Sequence, residues 1–355
     1  MQENAKVHCP ECDDLVERAE PLDRRGFMRA VGGTAAAIAT VGGLTATVPA
    51  VLAQPPATPA ASTGPRPAEE LIRELYTSLS ADQRANVVKP WNHGAENGQG
   101  TPTRQRMYNA ALGRRIGQVY TRPQQELCQR ILRAIASDEN GYRQLTRNGT
   151  FDGSRSFEAC GADIFGDPNN GQFAWVFSGH HITVRCDGNS EPGAAFGGPM
   201  YYGHSPDGYS ARNCFNYQTQ SVMSVFEALS EAQRRVAVVD GSPGEHERSI
   251  LFRPRGERHP GISSGELNQA QRRLVETVMR TILSPYRRED ADEVMEVVRR
   301  NGGLERIHLA FYREDGAPAN ERWHFWRLEG PGFVWNYRVL PHVHTYVNIS
   351  SQPLV

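Results

Sequence analysis

The stretch FAWVFSGHHITV, residues 173–184, can be set without gaps over HFWRLEGPGFVW, residues 324–335. In this register Trp175 aligns with Trp326, and Gly179 aligns with Gly330. Apolar residues that flank a glycine in this way indicate an antiparallel hairpin with a kink at the glycine. A match of this kind at a distance along the chain is typical of an internal repeat, so the two stretches predict two copies of one structural unit.

Helical patterns precede both hairpins. QRILRAI, residues 129–135, comes before the first, and RRLVETVMRTIL, residues 272–283, comes before the second. Ser80 in LSADQR has the place of a helix N-cap, and similar spacing recurs in LSEAQRR and LNQAQRR. We therefore predict an α+β fold with an internally duplicated unit of helices plus an antiparallel sheet. Residues 67–210 and 211–355 would be its repeats, related by a pseudo-twofold axis within one compact unit.

The N-terminal residues have the pattern of an export signal. Arg24 and Arg25 form a twin-arginine pair, followed by a weakly apolar run that ends near Ala53. We predict that residues 1–53 are a cleaved twin-arginine signal and that the Pro-rich residues 54–66 are a disordered linker. An uncleaved membrane anchor is the alternative, because the run is about long enough to span a bilayer. Its glycines and threonines favour cleavage, which would leave a periplasmic or otherwise extracytoplasmic protein with no membrane segment.

The charge balance limits the class of partner. The chain has 39 basic and 40 acidic residues, for a formal net charge of -1. A nucleic-acid-binding protein needs a basic excess to neutralise phosphates, so this class is excluded. A small-molecule or oligomeric extracytoplasmic substrate is expected instead, and the oligomeric state stays open.

The cysteines predict disulfides if the chain is exported. Cys128, Cys160, Cys186 and Cys214 would remain after signal cleavage, and an even number in an oxidising compartment commonly means disulfides. Their three possible pairings stay open, and thiolate metal ligands are the less favoured alternative. The HCPEC motif at residues 8–12 has the spacing of a redox or zinc motif, but it would leave with the signal.

Two adjacent histidines distinguish the first hairpin from the second. His180 and His181 stand where the second copy has Pro331 and Gly332, so the repeated fold does not require them. In a regular strand, neighbouring side chains point to opposite faces. Both histidines could therefore bind one ion only if Gly179 introduced a bulge.

A second histidine pair closes the chain. His342 and His344 in LPHVHTYVNI are two residues apart, so in a strand they share one face. We predict that they bind one transition-metal ion, zinc, copper or iron, together with His180 or His181. Buried, hydrogen-bonded histidines without a metal are the alternative.

Other polar residues are weaker candidates. Glu329 precedes Gly330 and could act as a ligand or general base, with an exposed edge carboxylate as the alternative. His204 lies in a Gly/Pro-rich loop, where loops often carry function, with a turn histidine that makes a local hydrogen bond as the alternative. FRPRGERHPG, residues 252–261, offers arginines and a histidine for anion binding, with a solvated basic loop as the default interpretation.

Several of these motifs together resemble a known family. They are Gly179-His180-His181 after an aromatic strand, GGPMYYGHSP, the QAQRR helix, WRLEGPGF and the closing His342-x-His344. This combination resembles the bacterial domain-of-unknown-function family numbered 3500, over about residues 68–348. The resemblance implies no established activity. Where the family tends to carry a carboxylate, this chain has Asn336.

The residues and the resemblance lead to one functional prediction with two alternatives. We predict an exported mononuclear metalloenzyme of hydrolytic, lyase or copper or iron redox type. The first alternative is a non-catalytic periplasmic protein that binds a metal or another ligand. The second is a protein whose histidines are structural and hold no metal.

Overall fold

The structure is a computed structural model that describes residues 67–95, 99–245, 247–254, 256–313 and 323–351. The predicted signal, the linker and the HCPEC motif lie outside the described residues. Within the described ranges, no helix has both the length and the apolar character needed to cross a membrane.

The strands form one mixed sheet, which confirms the predicted α+β class. Its order is β1-β2-β3-β4-β5-β11-β10-β9-β8-β6, with β7 paired to β8 beside this path. The pairs β1/β2 and β6/β8 are parallel, and the other neighbours are antiparallel. The strands are β1 (Val88–Lys89), β2 (Gly161–Asp167), β3 (Gln172–Gly179), β4 (Ile182–Cys186), β5 (Met200–His204), β6 (Val238–Asp240), β7 (Ile262–Ser263), β8 (His308–Arg313), β9 (Phe325–Gly330), β10 (Phe333–Arg338) and β11 (Val343–Ile349).

Nine α-helices lie among the described residues. They are α1 (Pro67–Ser78), α2 (Ala81–Val87), α3 (Ile116–Val119), α4 (Arg122–Ile135), α5 (Glu139–Thr146), α6 (Asn216–Ala228), α7 (Glu231–Ala237), α8 (Gln269–Leu283) and α9 (Arg288–Arg300). Short 3₁₀ turns occupy Thr103–Gln105, Asp152–Ser154, Phe157–Ala159, Ala195–Gly197, Glu247–Ile250, Ser264–Glu266 and Leu304–Arg306. In the amphipathic helix α4, residues such as Ile131 and Leu132 enter the main hydrophobic core, where they are fully buried.

The same order of elements is found in both parts of the sheet. Read from either edge, a short parallel strand is followed by antiparallel strands that end at the β5–β11 pair. Gln83 Nε2 donates to Gln124 Oε1 at 2.7 Å, and Gln233 Nε2 donates to Gln271 Oε1 at 3.2 Å in the other part. An internal duplication would produce these similarities. That the two parts superpose as duplicated units stays a prediction.

The two sequence stretches that match each other both form hairpins. Gly179 of β3 pairs with Ile182 of β4, and Gly330 of β9 pairs with Phe333 of β10. Each glycine is therefore the last residue of its strand, and two residues form the turn that follows. Trp175 and Trp326 are fully buried in the main core.

The two faces of the sheet have different covers. Trp175 and Phe177 enter the main core with the helices, whereas Val176 between them enters a separate cluster with Trp91 and Leu112. This alternation is expected, because successive side chains of a strand point to opposite faces. We call the second face the loop face.

Two irregular segments cover the loop face. Residues 101–112 form the first covering segment, in which Leu112 N–H donates to Ser178 Oγ at 2.7 Å. Residues 242–245 and 247–254 form the second covering segment, whose Ile250 carbonyl accepts from Asn348 Nδ2 at 3.0 Å. Strand side chains that hydrogen-bond the backbone of these segments explain why the loop face is rich in buried polar residues.

The disulfide prediction is wrong. Cys128, Cys160, Cys186 and Cys214 are all free thiols, in α4, before β2, at the end of β4 and before α6. Each occupies its own packing environment: Cys186 Sγ, for example, donates to Glu69 Oε1 at 3.4 Å. An even number of cysteines does not show that any two of them lie close enough to form a disulfide. A thiol in a core can serve as a small apolar side chain.

Candidate metal centre

His180 and His181 lie in a turn and not in a strand. Because Gly179 pairs directly with Ile182, the two histidines are the turn residues between β3 and β4. Their ring centroids are 3.7 Å apart, so the opposite orientation expected for strand neighbours does not apply. The turn brings both rings to one region at the end of the hairpin.

The backbone of His181 has a conformation that favours glycine. Its φ is +59°, in the left-handed region, and Gly332 in the second hairpin has the same place in its turn with a φ of +72°. Pro331 before Gly332 is typical of such a turn, whereas a histidine at this position is strained. His181 N–H donates to Asn109 Oδ1 at 2.8 Å, and its carbonyl accepts from Gly203 N–H at 3.0 Å. The first hairpin thus carries backbone strain at the residue that presents this imidazole.

Three histidine rings converge: His181 lies in the turn, His344 lies in β11, and His342 immediately precedes β11. His342 Nε2 lies 2.8 Å from His344 Nε2, which lies 2.9 Å from His181 Nε2. The three ligand atoms are all within 4.8 Å of one another, and all three residues are buried. Gly203 leaves room for the His181 ring, because a Cβ at Gly203 would come 3.1 Å from His181 Cγ.

Two carboxylates orient two of the rings. His181 Nδ1 lies 2.9 Å from Asp152 Oδ2, and His344 Nδ1 lies 2.9 Å from Glu245 Oε1. Burial would raise the pKa of Asp152, but hydrogen bonds from His181 and His204 outweigh it and hold the pKa well below its usual range. Carboxylates that accept from the far nitrogen of an imidazole are a common support for metal-binding histidines.

All three imidazoles are neutral near neutral pH. Burial lowers the pKa of His181 to about 3, although the hydrogen bond that His181 donates to Asp152 acts in the opposite direction. Burial and the nearby Arg338 lower the pKa of His342 to about 3, and the same two causes lower the pKa of His344 well below its usual value. A neutral imidazole has one N–H and one lone pair.

The carboxylates determine where those lone pairs point. In His181 and His344 the N–H is at Nδ1, facing Asp152 and Glu245, so both Nε2 atoms carry lone pairs. These lone pairs face each other at 2.9 Å with no proton to share between them. Arg338 Nη2, which can only donate, lies 3.1 Å from His342 Nε2 and makes that atom a third acceptor. The facing lone pairs of His181 and His344 repel each other, and a bound cation that also takes the place of Arg338 at His342 Nε2 would relieve that repulsion.

The donor set suits a zinc or copper ion. Zinc–nitrogen bonds of about 2.0–2.1 Å in a tetrahedral site separate two ligand nitrogens by roughly 3.3–3.4 Å. The 2.8 and 2.9 Å separations therefore require the rings to move apart by about half an ångström on binding.

His180 stands beside the three converging rings. Its ring Nδ1 accepts from the backbone N–H of Gly153 at 2.9 Å, and its backbone N–H donates to Ser154 Oγ at 2.7 Å. His180, His181 and Asp152 form a second group whose ligand atoms lie within 4.8 Å of one another. Of the two adjacent histidines, His181 is thus the one that joins His342 and His344.

Sequence reasoning missed most of the residues that support the rings. Asp152, Glu245 and Arg338 were not singled out. His204, a weaker candidate in the sequence, has its Nδ1 3.2 Å from Asp152 Oδ2. Arg338 Nη1 lies 2.5 Å from Glu245 Oε2 and links the second covering segment to β10. No spacing relative to the histidines identifies these residues, because loops bring Asp152 and Glu245 into place.

Glu329 lies at another part of the loop face. It is buried in β9, with Oε1 3.1 Å from Arg253 Nε and Oε2 2.9 Å from Arg327 Nη2. Among the described residues, Glu329 therefore makes no contact with the histidine rings that would support its predicted catalytic role.

A family profile described as a protein of unknown function (DUF3500) matches residues 66–350. The chain belongs to the DUF3500 family. The matched range of this DUF3500 protein contains all the residues of the candidate metal centre. No curated protein and no solved structure matches the chain.

Proposed function

We propose that this DUF3500 protein is an exported protein that binds one transition-metal ion through Nε2 of His181, His342 and His344. One observation carries the proposal: the Nε2 lone pairs of His181 and His344 face each other at 2.9 Å while both Nδ1 atoms face carboxylates. A metal ion accepts lone pairs from several nitrogens at once, which no single proton can do.

The ligand chemistry narrows the choice of metal. Three imidazoles suit zinc and copper, and a mixed set of imidazoles and a carboxylate is more usual for non-haem iron. Asp152 contacts His181 at Nδ1 and supports that ring in our proposal. Zinc and copper are therefore the first candidates, and iron is third.

A mononuclear metalloenzyme is the preferred form of the proposal. Three protein ligands leave a coordination position for water or substrate, as in many catalytic zinc sites. A bound ion would supply Lewis-acid or redox chemistry at that position. The protein residues would orient the ligands: Glu245 and Asp152 fix two rings, and Arg338 holds Glu245 next to His342. The substrate would be a small or oligomeric extracytoplasmic molecule.

The burial of the site favours a second candidate, a non-catalytic metal-binding protein. His181, His342 and His344 are all buried, so a large substrate has little access to them. Glu245, whose side chain is 22% exposed, is the more open part of the centre. A saturated, enclosed ion would serve storage or stability and would not turn over a substrate.

Metal titration and absorption spectroscopy test the proposal. Protein stripped with a chelator should bind one equivalent of Zn²⁺ or Cu²⁺, and the His342→Ala/His344→Ala variant should bind none. His308→Ala is the matched control, because His308 lies in β8 against His259 and should leave metal binding unchanged. An X-ray absorption spectrum with three nitrogens and an exchangeable oxygen supports the enzyme, whereas a saturated shell of protein ligands supports the binding protein. Absence of binding in the folded wild type contradicts both.

Export by the twin-arginine route is a separate part of the proposal. It is supported by the Arg24-Arg25 pair and the weakly apolar run that follows. Changing both arginines to lysine should leave unprocessed protein in the cytoplasm. Normal secretion of the double variant would contradict this route and would leave the metal proposal unaffected.

A further inference from the structure

Two neighbouring cavities lie beside the second hairpin. The larger has a volume of about 1270 Å³ and the smaller a volume of about 390 Å³. Their linings share four consecutive residues of the second covering segment, Leu251, Phe252, Arg253 and Pro254. The two cavities are therefore neighbouring compartments around one stretch of chain, large enough together for a small organic ligand.

The larger cavity has apolar walls that are open to solvent. Two large apolar side chains of the described part are exposed, Val236 and Leu251, each at 51%, and both line this cavity. Phe252, Pro254 and Pro331 add further apolar surface. Exposed apolar side chains that gather at one cavity are typical of a binding site for an apolar group.

The larger cavity also offers a flat surface. The rings of His259 and His308 stack with centroids 4.8 Å apart and an interplanar angle of 17°. Burial lowers the pKa of both histidines, so the neutral rings form a continuous aromatic surface on the cavity wall. Such a surface favours stacking with a ligand ring.

The smaller cavity has a surplus of positive charge. Arg327 is 5% exposed and lines this cavity, and its Nε has no hydrogen-bond partner among the described residues. Arg253 lines both cavities, and a single buried carboxylate, Glu329, lies between the two guanidinium groups at 3.1 and 2.9 Å. Glu257 approaches Arg253 only at 4.0 Å with its side chain 55% exposed, so water screens that pair. Arg253, whose side chain is 32% exposed, thus shares its one close buried carboxylate with the buried Arg327.

We propose that the two cavities form one site for an organic anion with an apolar, preferably aromatic, body. Its carboxylate binds Arg253 and Arg327, and its body lies against Leu251, Val236 and the His259–His308 stack. Guanidinium groups suit carboxylates because they donate parallel hydrogen bonds. Glu329 in this account is the fixed counter-ion that keeps the two arginines in place.

This ligand site is distinct from the metal centre. On β10, Arg338 lies opposite both His344 of β11 and Phe325 of β9. Glu329 is four residues further along β9 than Phe325, which is roughly 13 Å at the usual rise of a strand. The proposal therefore does not depend on metal binding, and either one can fail alone.

Calorimetry with matched probes tests the ligand site on the folded protein. We expect 4-phenylbutyrate to bind and to raise the melting temperature, and we expect 4-phenylbutyramide, which has the same body without the charge, to bind at least tenfold more weakly. Acetate, which has the charge without the body, should also bind at least tenfold more weakly. Equal binding of acid and amide, or no melting-temperature increase with 4-phenylbutyrate at 10 mM, overturns the proposal.

Variants locate the site of binding. Arg253→Gln should weaken 4-phenylbutyrate binding at least tenfold without changing the amide, and Leu251→Ser should weaken both probes. Arg280→Gln is the matched control, because Arg280 is an exposed arginine of α8 that pairs with Glu276. Chelator-treated wild type should bind 4-phenylbutyrate as the untreated protein does. Wild-type affinity in Arg253→Gln, or an equal loss in Arg280→Gln, places the anion elsewhere and overturns the proposal.

Discussion

The Nε2 atoms of His181 and His344 lie 2.9 Å apart, although each ring directs its Nδ1 at a carboxylate 2.9 Å away. Two neutral imidazoles in this arrangement present lone pairs to each other. The folded chain holds them there with buried side chains, a strained turn and charged partners from two loops. This arrangement is unfavourable without a cation, and it is the basis of the predictions that concern the metal centre.

The carboxylates behind the rings should control metal affinity. We expect Asp152→Asn and Glu245→Gln each to weaken metal binding by about 10–100-fold, because each removes the partner that fixes a ring and its tautomer. Competition with a chromophoric chelator measures the affinity. Glu257→Gln, an exposed carboxylate elsewhere, is the control and should bind metal as the wild type does. Unchanged affinity in both Asp152→Asn and Glu245→Gln would mean that the carboxylates do not support ligands.

The strained turn gives a prediction that needs no metal. At φ +59° a side chain is unfavourable, so in chelator His181→Gly should be more stable than His181→Ala by about 1 kcal/mol. Denaturant unfolding of the two variants measures this difference. His180 provides the control, because it is not among the residues with positive φ, so there alanine should be the more stable substitution. If the glycine and alanine variants have the same order of stability at both positions, the strain at His181 is absent.

A buried acid outside the centre should make stability depend on pH. Burial raises the pKa of Asp163 to about 7, partly opposed by the charge of Lys89. The folded state then holds a proton that the unfolded state loses from about pH 4, so stability should fall as pH rises from about 4 to 7. Asp163→Asn should remove this loss and raise the free energy of unfolding at pH 8 by a few kcal/mol, since one pKa unit is worth about 1.4 kcal/mol.

The control for this prediction is an exposed acid. Asp292 has a side chain that is 59% exposed, so Asp292→Asn should change stability little at either pH. Urea unfolding at pH 4.5 and pH 8 gives the comparison. If Asp163→Asn has the same effect at both pH values, the carboxyl is ionised in the folded state and the assigned pKa is wrong.

The sequence predicts the parts of this structure that depend on local patterns. The gapless match of residues 173–184 with 324–335 predicted two hairpins, and both are present with Trp175 and Trp326 in the core. The spacing of His342 and His344 predicted a shared face, and their Nε2 atoms lie 2.8 Å apart. Periodicity is sufficient for such features because they depend on strand geometry alone.

The remaining features depend on tertiary structure, which no local pattern contains. Glu245 and Asp152 reach the rings from loops 99 and 29 residues distant from His344 and His181 in sequence. The placement of His180 and His181 in a turn follows from the register of β3 and β4. A shift of this register by one residue would turn the side chains to the opposite face of the sheet. The disulfide prediction failed for a related reason, since compartment and cysteine count do not specify distances.

The metal content of the protein purified from its native host tests the central claim most directly. Elemental analysis should find about one zinc or copper ion per chain in the wild type and close to none in His342→Ala/His344→Ala, with full retention in His308→Ala. A chelator should lower the melting temperature of the wild type and leave the double variant unchanged, because an ion that binds only the folded state stabilises it. Wild-type protein that is folded, free of metal and insensitive to chelator would contradict the account and would make the three histidines structural.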